Sequence, residues 1–474
     1  MIEKTDLIII GAGPGGMQAA VSAAQIGLQV VLIDGNPLPG GQYYKQLPLQ
    51  FSVNQNSCLL KEAASLFDGI QQPSIRLLTN KLVWGIFYNP KTKLWQATLQ
   101  GDNCPPRLEA PAIIIATGAY DRSIPFPGWD LPGVITAGAA QVLVKYQGIL
   151  PGKRAILSGT GPLQLAAAAN LVDAGVEVLG VLECNQGLIQ KGFLHLTGIL
   201  GQWSRMKEGF QYAKSLLRAR VPYKTGWSVI RVDGEGKVEE VTIAQLDKEG
   251  NPIPGTERSN SLDTVVVGYG LTPSTEFFRL LDCEMIYSKP EGVFLPKRDP
   301  FFQTSLPGIY AIGDCAKIGG AKLAMLEGEV AAAHVAYQSN RTTKDKFDQM
   351  TAKIHQAIKR ENRFSKMLAE LFAIPHGLFS LAKPETIICR CEQISLAEIR
   401  TAISYGAQTV TDIKNITRSG MGFCQGRTCA SILSQILASQ RNCPPAEGYY
   451  LNIRPPIHAV PIEYFTESSN GVQG

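Results

Sequence analysis

Histidine is scarce in this chain. The 474 residues include five (195, 334, 355, 376 and 458), and no two stand at a spacing that reads as a catalytic dyad. Charge of one sign is also lacking: 45 Lys and Arg against 40 Asp and Glu leave +5, dispersed along the sequence, so nucleic acid is not an expected partner. With 45% apolar and 18% charged residues the chain is not a disordered one, and its 47 Gly follow no collagen period. There is no uninterrupted apolar run of membrane-spanning length, since the stretch from Leu7 to Ile33 is broken repeatedly by Gly and Pro. The start, MIEKTD, places acids where a signal peptide needs a basic segment. A cytoplasmic protein with reduced thiols is therefore expected, with peripheral membrane contact left open. Ten Cys are too few for a disulfide scaffold of this size, and their spacing carries more than their number.

What is present reads as α/β. Asp6-Leu-Ile-Ile-Ile10 is a buried-strand run, followed by a Gly turn, a small-residue helical stretch from Met17 to Ile26 and a second β-rich run from Leu28 to Ile33. The pattern returns at Arg154, about 150 residues on, ending in Val176 to Leu182 and Glu183. Two such βαβ starts predict two Rossmann-like dinucleotide-binding domains. The expected organisation is a discontinuous first domain (1–120 and 264–335) and a second nucleotide-type domain (121–263). A helical region (336–384), a compact Cys-bearing unit (385–440) and an extended tail (441–474), rich in Pro, complete it. Residues 75–100 alternate like antiparallel strands.

In the first loop, Gly11 permits the tight turn, Gly13 lets backbone approach a pyrophosphate and Gly16 lets helix pack on strand. The helix start, with Pro14 in its first turn, offers N–H groups and a positive dipole end to phosphate. Asp34, 18 residues after Gly16, stands where a carboxylate accepts ribose hydroxyls. The second loop keeps Gly159 and Gly161 but has Gln164 in place of the third Gly, which predicts that helix and strand are held apart or that a ligand is crowded. Glu183 can still take an adenosine ribose. NAD or another adenine nucleotide such as ATP is one reading of this domain; a domain retained for structure or subunit contact is the other.

The sharpest pattern is Cys389-x-Cys391, 32 intervening residues, then Cys424-x4-Cys429. Four thiolates can hold two irons and two sulfides. The Gly residues of Gly420-Met-Gly-Phe-Cys424 let backbone N–H groups approach the sulfurs, and Arg390, Lys414, Arg418 and Arg427 would offset cluster charge. Tetrahedral zinc competes, although C-x-C is tight for it. Cys58, Cys104, Cys184, Cys283 and Cys315 stand alone and read as inert thiols; only Cys315, beside Asp314, sits where a reactive group would be of interest.

Gly40-Gly41-Gln42, Ala116-Thr117-Gly118 and Gly313-Asp314, in that order after the first loop, resemble the pyridine nucleotide–disulfide oxidoreductase superfamily over roughly 1–335. The resemblance implies FAD in the first site, with Asp314 on the flavin ribityl chain. Two departures accompany it: Asp34 stands where Glu is commoner, and no Cys follows Gly40-Gly41, so a self-contained disulfide reductase is not expected. Residues 386–438 resemble the [2Fe–2S] domain of bacterioferritin-associated ferredoxin. Its C-x4-C variant, with the ending from Asn452-Ile-Arg-Pro-Pro456 to Pro461, looks like the larger subunits of opine oxidase, D-hydroxyproline dehydrogenase and hydrogen cyanide synthase. That implies an electron-transfer subunit of a heteromeric flavin and iron–sulfur amine or amino-acid dehydrogenase. The implied partners are a smaller FAD-dependent, amino-acid oxidase-like subunit and a small ferredoxin-like one. A stand-alone NAD(P)H-dependent reductase and a non-catalytic nucleotide- and cluster-binding module are the alternatives.

Overall fold

Short, wholly apolar runs build both central sheets. The structure, a computed structural model, describes residues 2–47, 58–187, 202–289, 291–443 and 449–466. His195, Pro444 and Pro445 lie outside them. The chain divides into two compact units, 1–119 with 273–362 and 452–474, and 120–272 with 363–451.

In the first unit, β1 (Leu7–Ile10) lies between Ala112–Ile115 and β2 (Val30–Ile33), parallel to both; Ile75–Leu78 and Ile309–Ala311 are the outer strands. Every residue of β1, β2 and Ala112–Ile115 is buried, as a parallel sheet covered on both faces requires. α1 (Pro14–Gln25) packs on the helix Ala321–Gln338 through small residues: a Cβ on Gly328 would lie 2.5 Å from the Gly15 carbonyl oxygen. The alternation over 75–100 predicts antiparallel strands throughout. Instead Ile75–Leu78 joins the parallel sheet beside β2, because the helix Cys58–Gly69 supplies the crossover a parallel neighbour needs. Antiparallel pairing begins with Leu82–Asn89, which pairs with Leu94–Gln100. In the tail, Ile457 packs into this unit's core and its N–H donates to the Trp84 carbonyl.

The second unit repeats the plan. β3 (Arg154–Gly159) lies between Thr264–Gly268 and β4 (Glu177–Glu183), all parallel, with α2 (Pro162–Asp173) as the crossover. The sequence pattern has the chain returning to the first domain at 264. The strand Thr264–Gly268 belongs instead to the second sheet, fully buried and paired residue by residue with Ala155–Gly159 on one side and Val134–Thr136 on the other.

The Cys-bearing region starts with the strand β5 (Ile387–Cys389), which pairs antiparallel with Ile394–Ser395. Two helices follow, Leu396–Ser404 and Val410–Thr417, each opened by a capping box (Ser395 with Glu398, Thr409 with Asp412). The last helix is α3 (Ala430–Gln440), with Cys429 as its N-cap residue. Among the described residues no helix is long and apolar enough to cross a membrane.

Candidate cofactor sites

The register of the first sheet brings three of the anticipated segments to one edge. Ile10 is level with Ile115, and Ile115 with Ala311, so Gly11, Ala116-Thr117-Gly118 and Gly313-Asp314 all follow the carboxyl ends of adjacent strands. Ligands of such sheets bind in that crevice. Gly11 has φ +105, and a Cβ there would meet the Ala116 carbonyl oxygen at 2.4 Å. Gly16 is tighter still, with a Cβ position 1.8 Å from the Gly11 oxygen. At Gly13, by contrast, the nearest atom to a Cβ is Gly41 Cα at 3.9 Å, and at Gly118 and Gly320 nothing lies within 4 Å. The cradle is thus open where a diphosphate needs backbone to approach it, and closed where helix and strand must touch. The N–H of Gly40 donates to the Ala12 carbonyl, which holds Gly40-Gly41 against the loop. Gln42 is exposed.

Asp34 and Asp314 are held differently. Asp34 is buried; its Oδ2 accepts from Ala12 N (2.6 Å) and its Oδ1 from Asn36 N (2.7 Å) and Nδ2 (2.8 Å). The carboxylate therefore buttresses the loop while retaining acceptor capacity for a hydroxyl. Asp314 accepts from Gly319 N (2.8 Å) and Gly320 N (3.0 Å) with Oδ1 alone; Oδ2 has no partner among the described residues. Burial raises the Asp314 carboxyl above its ordinary range, against the lowering effect of those two N–H donors. The N–H of Gly313 is taken by Glu327, itself paired with Arg298 at 2.9 Å. Thr117 Oγ1 donates to the Ser274 carbonyl. The Cys315 thiol, fully buried and donating to the Ile115 and Ile312 carbonyls, is pushed up to about 12, first by desolvation. It is an inert group. An extended dinucleotide with a polyol section, as in FAD, fits these residues.

The second loop is built alike and finished differently. Gln164 occupies the place of Gly16, and its room comes from Gly268: a Cβ on Gly268 would lie 2.9 Å from Gln164 Cγ. Gln164 is buried with neither amide atom hydrogen-bonded. Glu183 is also buried. Its carboxylate accepts from Gly161 N (3.1 Å), Asn185 N (3.0 Å) and Asn185 Nδ2 (3.2 Å), and burial raises its pKa. Residues just after the helix Lys344–Leu371 lie over this loop. Thr160 Oγ1 donates to the Phe372 carbonyl (3.4 Å), Asn185 Nδ2 donates to the Ala373 carbonyl (3.0 Å), and Phe372 Cβ is 3.9 Å from the Cβ position of Gly161. Thr160, Gly161 and Asn185 are thus hydrogen-bonded within the chain itself. The sequence carries no signal for this strap, because its contacts join residues 188 to 212 positions apart.

The four Cys of the third motif come together across the motif. Cys389 and Cys429 shift one another's titration, as Cys424 does that of Cys391. Cys389 and Cys429 are buried and Cys391 is exposed. Among the described residues no three His, Cys, Asp or Glu groups converge as a single-ion site requires. The Cys389 thiol is lowered to about 6, first by Cys429 and then, against desolvation, by the N–H groups of Gly420, Glu392 and Cys391. Cys429 is correspondingly raised. Gly422 cannot be larger, since its Cβ would fall 2.4 Å from that of Cys391. Arg390 turns to Trp129, 5.3 Å over the ring, and Arg427 to the Tyr120 hydroxyl at 2.9 Å, while Arg418 pairs with Glu392 at 3.1 Å. Arg390, Arg418 and Arg427 thus have structural partners of their own. Donors placed around thiols in this way fit a [2Fe–2S] group.

Comparison with known proteins agrees with this division. The family model described as pyridine nucleotide-disulphide oxidoreductase matches residues 5–339, and that of the BFD-like [2Fe-2S] binding domain matches 387–439. One of the subunits of the opine oxidase of Agrobacterium tumefaciens is 32% identical over 463 residues, covering 96% of this chain and 90% of that one. Hydrogen cyanide synthase subunit HcnB of Pseudomonas aeruginosa is 30% identical over 470 residues, covering 97% of each. Among solved structures, L-proline dehydrogenase from P. horikoshii shares the fold with a TM-score of 0.68 at 19% identity, covering 98% of this chain and 80% of that one. The chain belongs to the pyridine nucleotide–disulphide oxidoreductase family, whose fold binds FAD or NAD, and within it to the group of these opine oxidase subunits, with a BFD-like [2Fe-2S] binding domain.

Proposed function

We propose that the chain is the electron-transfer subunit of a heteromeric dehydrogenase that oxidises a C–N bond of an amino or imino acid, an opine or hydroxyproline included. On this reading FAD is held by Gly11, Gly13, Pro14, Gly16, Asp34, Gly41, Gln42, Thr117, Gly118, Gly313 and Asp314, and the cluster by Cys389, Cys391, Cys424 and Cys429. Substrate oxidation belongs to a smaller FAD-dependent, amino-acid oxidase-like partner subunit, with a small ferredoxin-like subunit as a further component. Both relatives above are named as subunits, which supports a partner. Bound flavin accepts an electron pair and a [2Fe–2S] cluster passes electrons singly, so the two together convert one currency into the other.

The observation that carries the reading is the pairing, in one chain, of an open dinucleotide cradle with a four-thiol site whose members sit among N–H donors. The chain's own residues orient and insulate: Asp314 offers a carboxylate oxygen to a polyol, Gly13 and Gly118 leave space for backbone approach, and Cys315 stays protonated and unreactive. An NAD(P)H-driven reductase would need the second loop, which the 372–373 segment covers. The test is to co-purify the chain with the product of the adjacent coding sequence, extract the cofactors, and follow the visible spectrum as proline, hydroxyproline, glycine and opines are added without oxygen. Bleaching of flavin and cluster bands by one of these supports the reading. Bleaching by NADH in the single chain, and by none of the substrates, overturns it.

A further inference from the structure

The Gly313-Asp314 strand end is held by an ion pair that belongs to neither Gly-rich loop. The side chains of Arg298 and Glu327 are 12% and 2% exposed, and Nη1 and Oε2 lie 2.9 Å apart. A second contact, Nη2 to Oε1, is 3.4 Å. Each side chain also binds backbone at the turn. Glu327 Oε2 accepts from Gly313 N (2.7 Å), and Arg298 Nη1 donates to the Ala311 carbonyl (2.8 Å). The pair thus grips the chain on both sides of Ile312, immediately before Asp314. An ion pair this deep adds little net stability over apolar residues of the same volume, because desolvation offsets the attraction. Its placement calls for a reason other than stability.

The neighbouring contacts supply that reason. Ala324, Glu327 and Gly328 share one face of the helix Ala321–Gln338. That face meets the first loop's helix at Gly15, whose Cβ position is 3.0 Å from the Ala324 carbonyl oxygen, and the turn at Gly313, whose Cβ position is 2.9 Å from Ala324 Cβ. Glu327 therefore ties the turn that carries Asp314 to the element packed on the diphosphate cradle. Asp314 Oδ1 is committed to Gly319 N and Gly320 N, which leaves Oδ2 for a ligand. Where that oxygen stands depends on the backbone of Gly313. We propose that Glu327 and Arg298 are positioning residues for Asp314: they fix the turn so that Oδ2 is in place to accept a hydroxyl of the polyol section of FAD. A carboxylate held before the ligand arrives loses less freedom on binding, and affinity gains accordingly. The inference rests on the reading that FAD occupies the first site.

The experiment titrates the flavin-depleted full-length chain with FAD and reads the dissociation constant from flavin fluorescence. It compares wild type, Glu327→Ala, Asp314→Ala and the double variant. Glu327→Ala should weaken FAD binding about tenfold or more when Asp314 is present. In the Asp314→Ala background the same substitution should weaken it by less than about twofold, because a positioning residue has no effect once the group it positions is gone. Arg298→Lys keeps the charge and gives up the fork that reaches both Glu327 and Ala311. It provides a second cycle should Glu327→Ala not fold, with a loss of about threefold beside Asp314 and none without it. Equal losses in the two backgrounds would mark a merely structural pair and overturn the proposal, as would FAD affinity unchanged in both variants. Failure of wild type to take up FAD would overturn the assignment of the first site and this inference with it, whereas the other two results leave that assignment standing.

Discussion

The two Gly-rich loops start from nearly the same sequence and end in opposite states. Both follow a strand that is buried up to the loop, both open a helix with Pro in its first turn, and both have a buried acid at the end of the next strand. In the first, the glycine facing the ligand side looks onto open space, and only Gly41 is near. In the second, Phe372 and Ala373 close the loop and Asn185 bridges Glu183, Thr160 and the Ala373 carbonyl. Loops of nearly the same sequence can thus be left open or be covered by another part of the chain.

The contrast can be broken most sharply at Gly13. Its φ of −74° suits any residue, so Gly13→Val should fold yet lose flavin at least tenfold, read from absorbance and cofactor extraction. Retained flavin would show that the open cradle is not the site. Cys424→Ser should abolish the cluster's visible bands and leave flavin content as in wild type, which separates the two cofactors; loss of both would show that they are not independently held. Titration of the single chain with NADH or ATP should give no binding tighter than about 1 mM by calorimetry, because the second loop is covered. Tight binding there would remove the distinction between the loops. Asn185→Ala should cost about 1–3 kcal/mol of stability in urea unfolding by stranding buried partners, without changing flavin content.

The smallest effect concerns pH. Burial raises the Glu183 carboxyl above its ordinary 4.5, so the folded state holds that proton more tightly than the unfolded chain. The stability it contributes is present below about pH 4.5 and is lost as pH rises through the raised value. The stability difference between wild type and Glu183→Gln should therefore move in the variant's favour between pH 4 and pH 7. A difference independent of pH would show that the buried carboxylate bears no penalty.

Much of this is legible in the residues. The βαβ starts, the four Cys and the Gly-Asp strand end can be read because strand runs, helix starts and ligand spacings are local patterns. The edge strand Ile75–Leu78 misleads because four residues of mixed burial do not declare whether their partner runs parallel. The strand Thr264–Gly268 points to the wrong sheet for a related reason: an apolar run states that it is buried and not beside what. Gln164 is recognisable as foreign to its loop, yet its accommodation by Gly268 depends on a residue more than a hundred positions away.

By itself the sequence determined the chemistry on offer: a dinucleotide loop with its acid, a second loop lacking its third glycine, and four thiols in ligand spacing. The tertiary structure decided which of these is available. It left the first loop open, laid Phe372 and Ala373 over the second, and buried Cys389 and Cys429 while leaving Cys391 exposed. Those outcomes depend on contacts between residues far apart in the chain, where hydrogen-bond satisfaction and burial are settled by packing and no local pattern records the result.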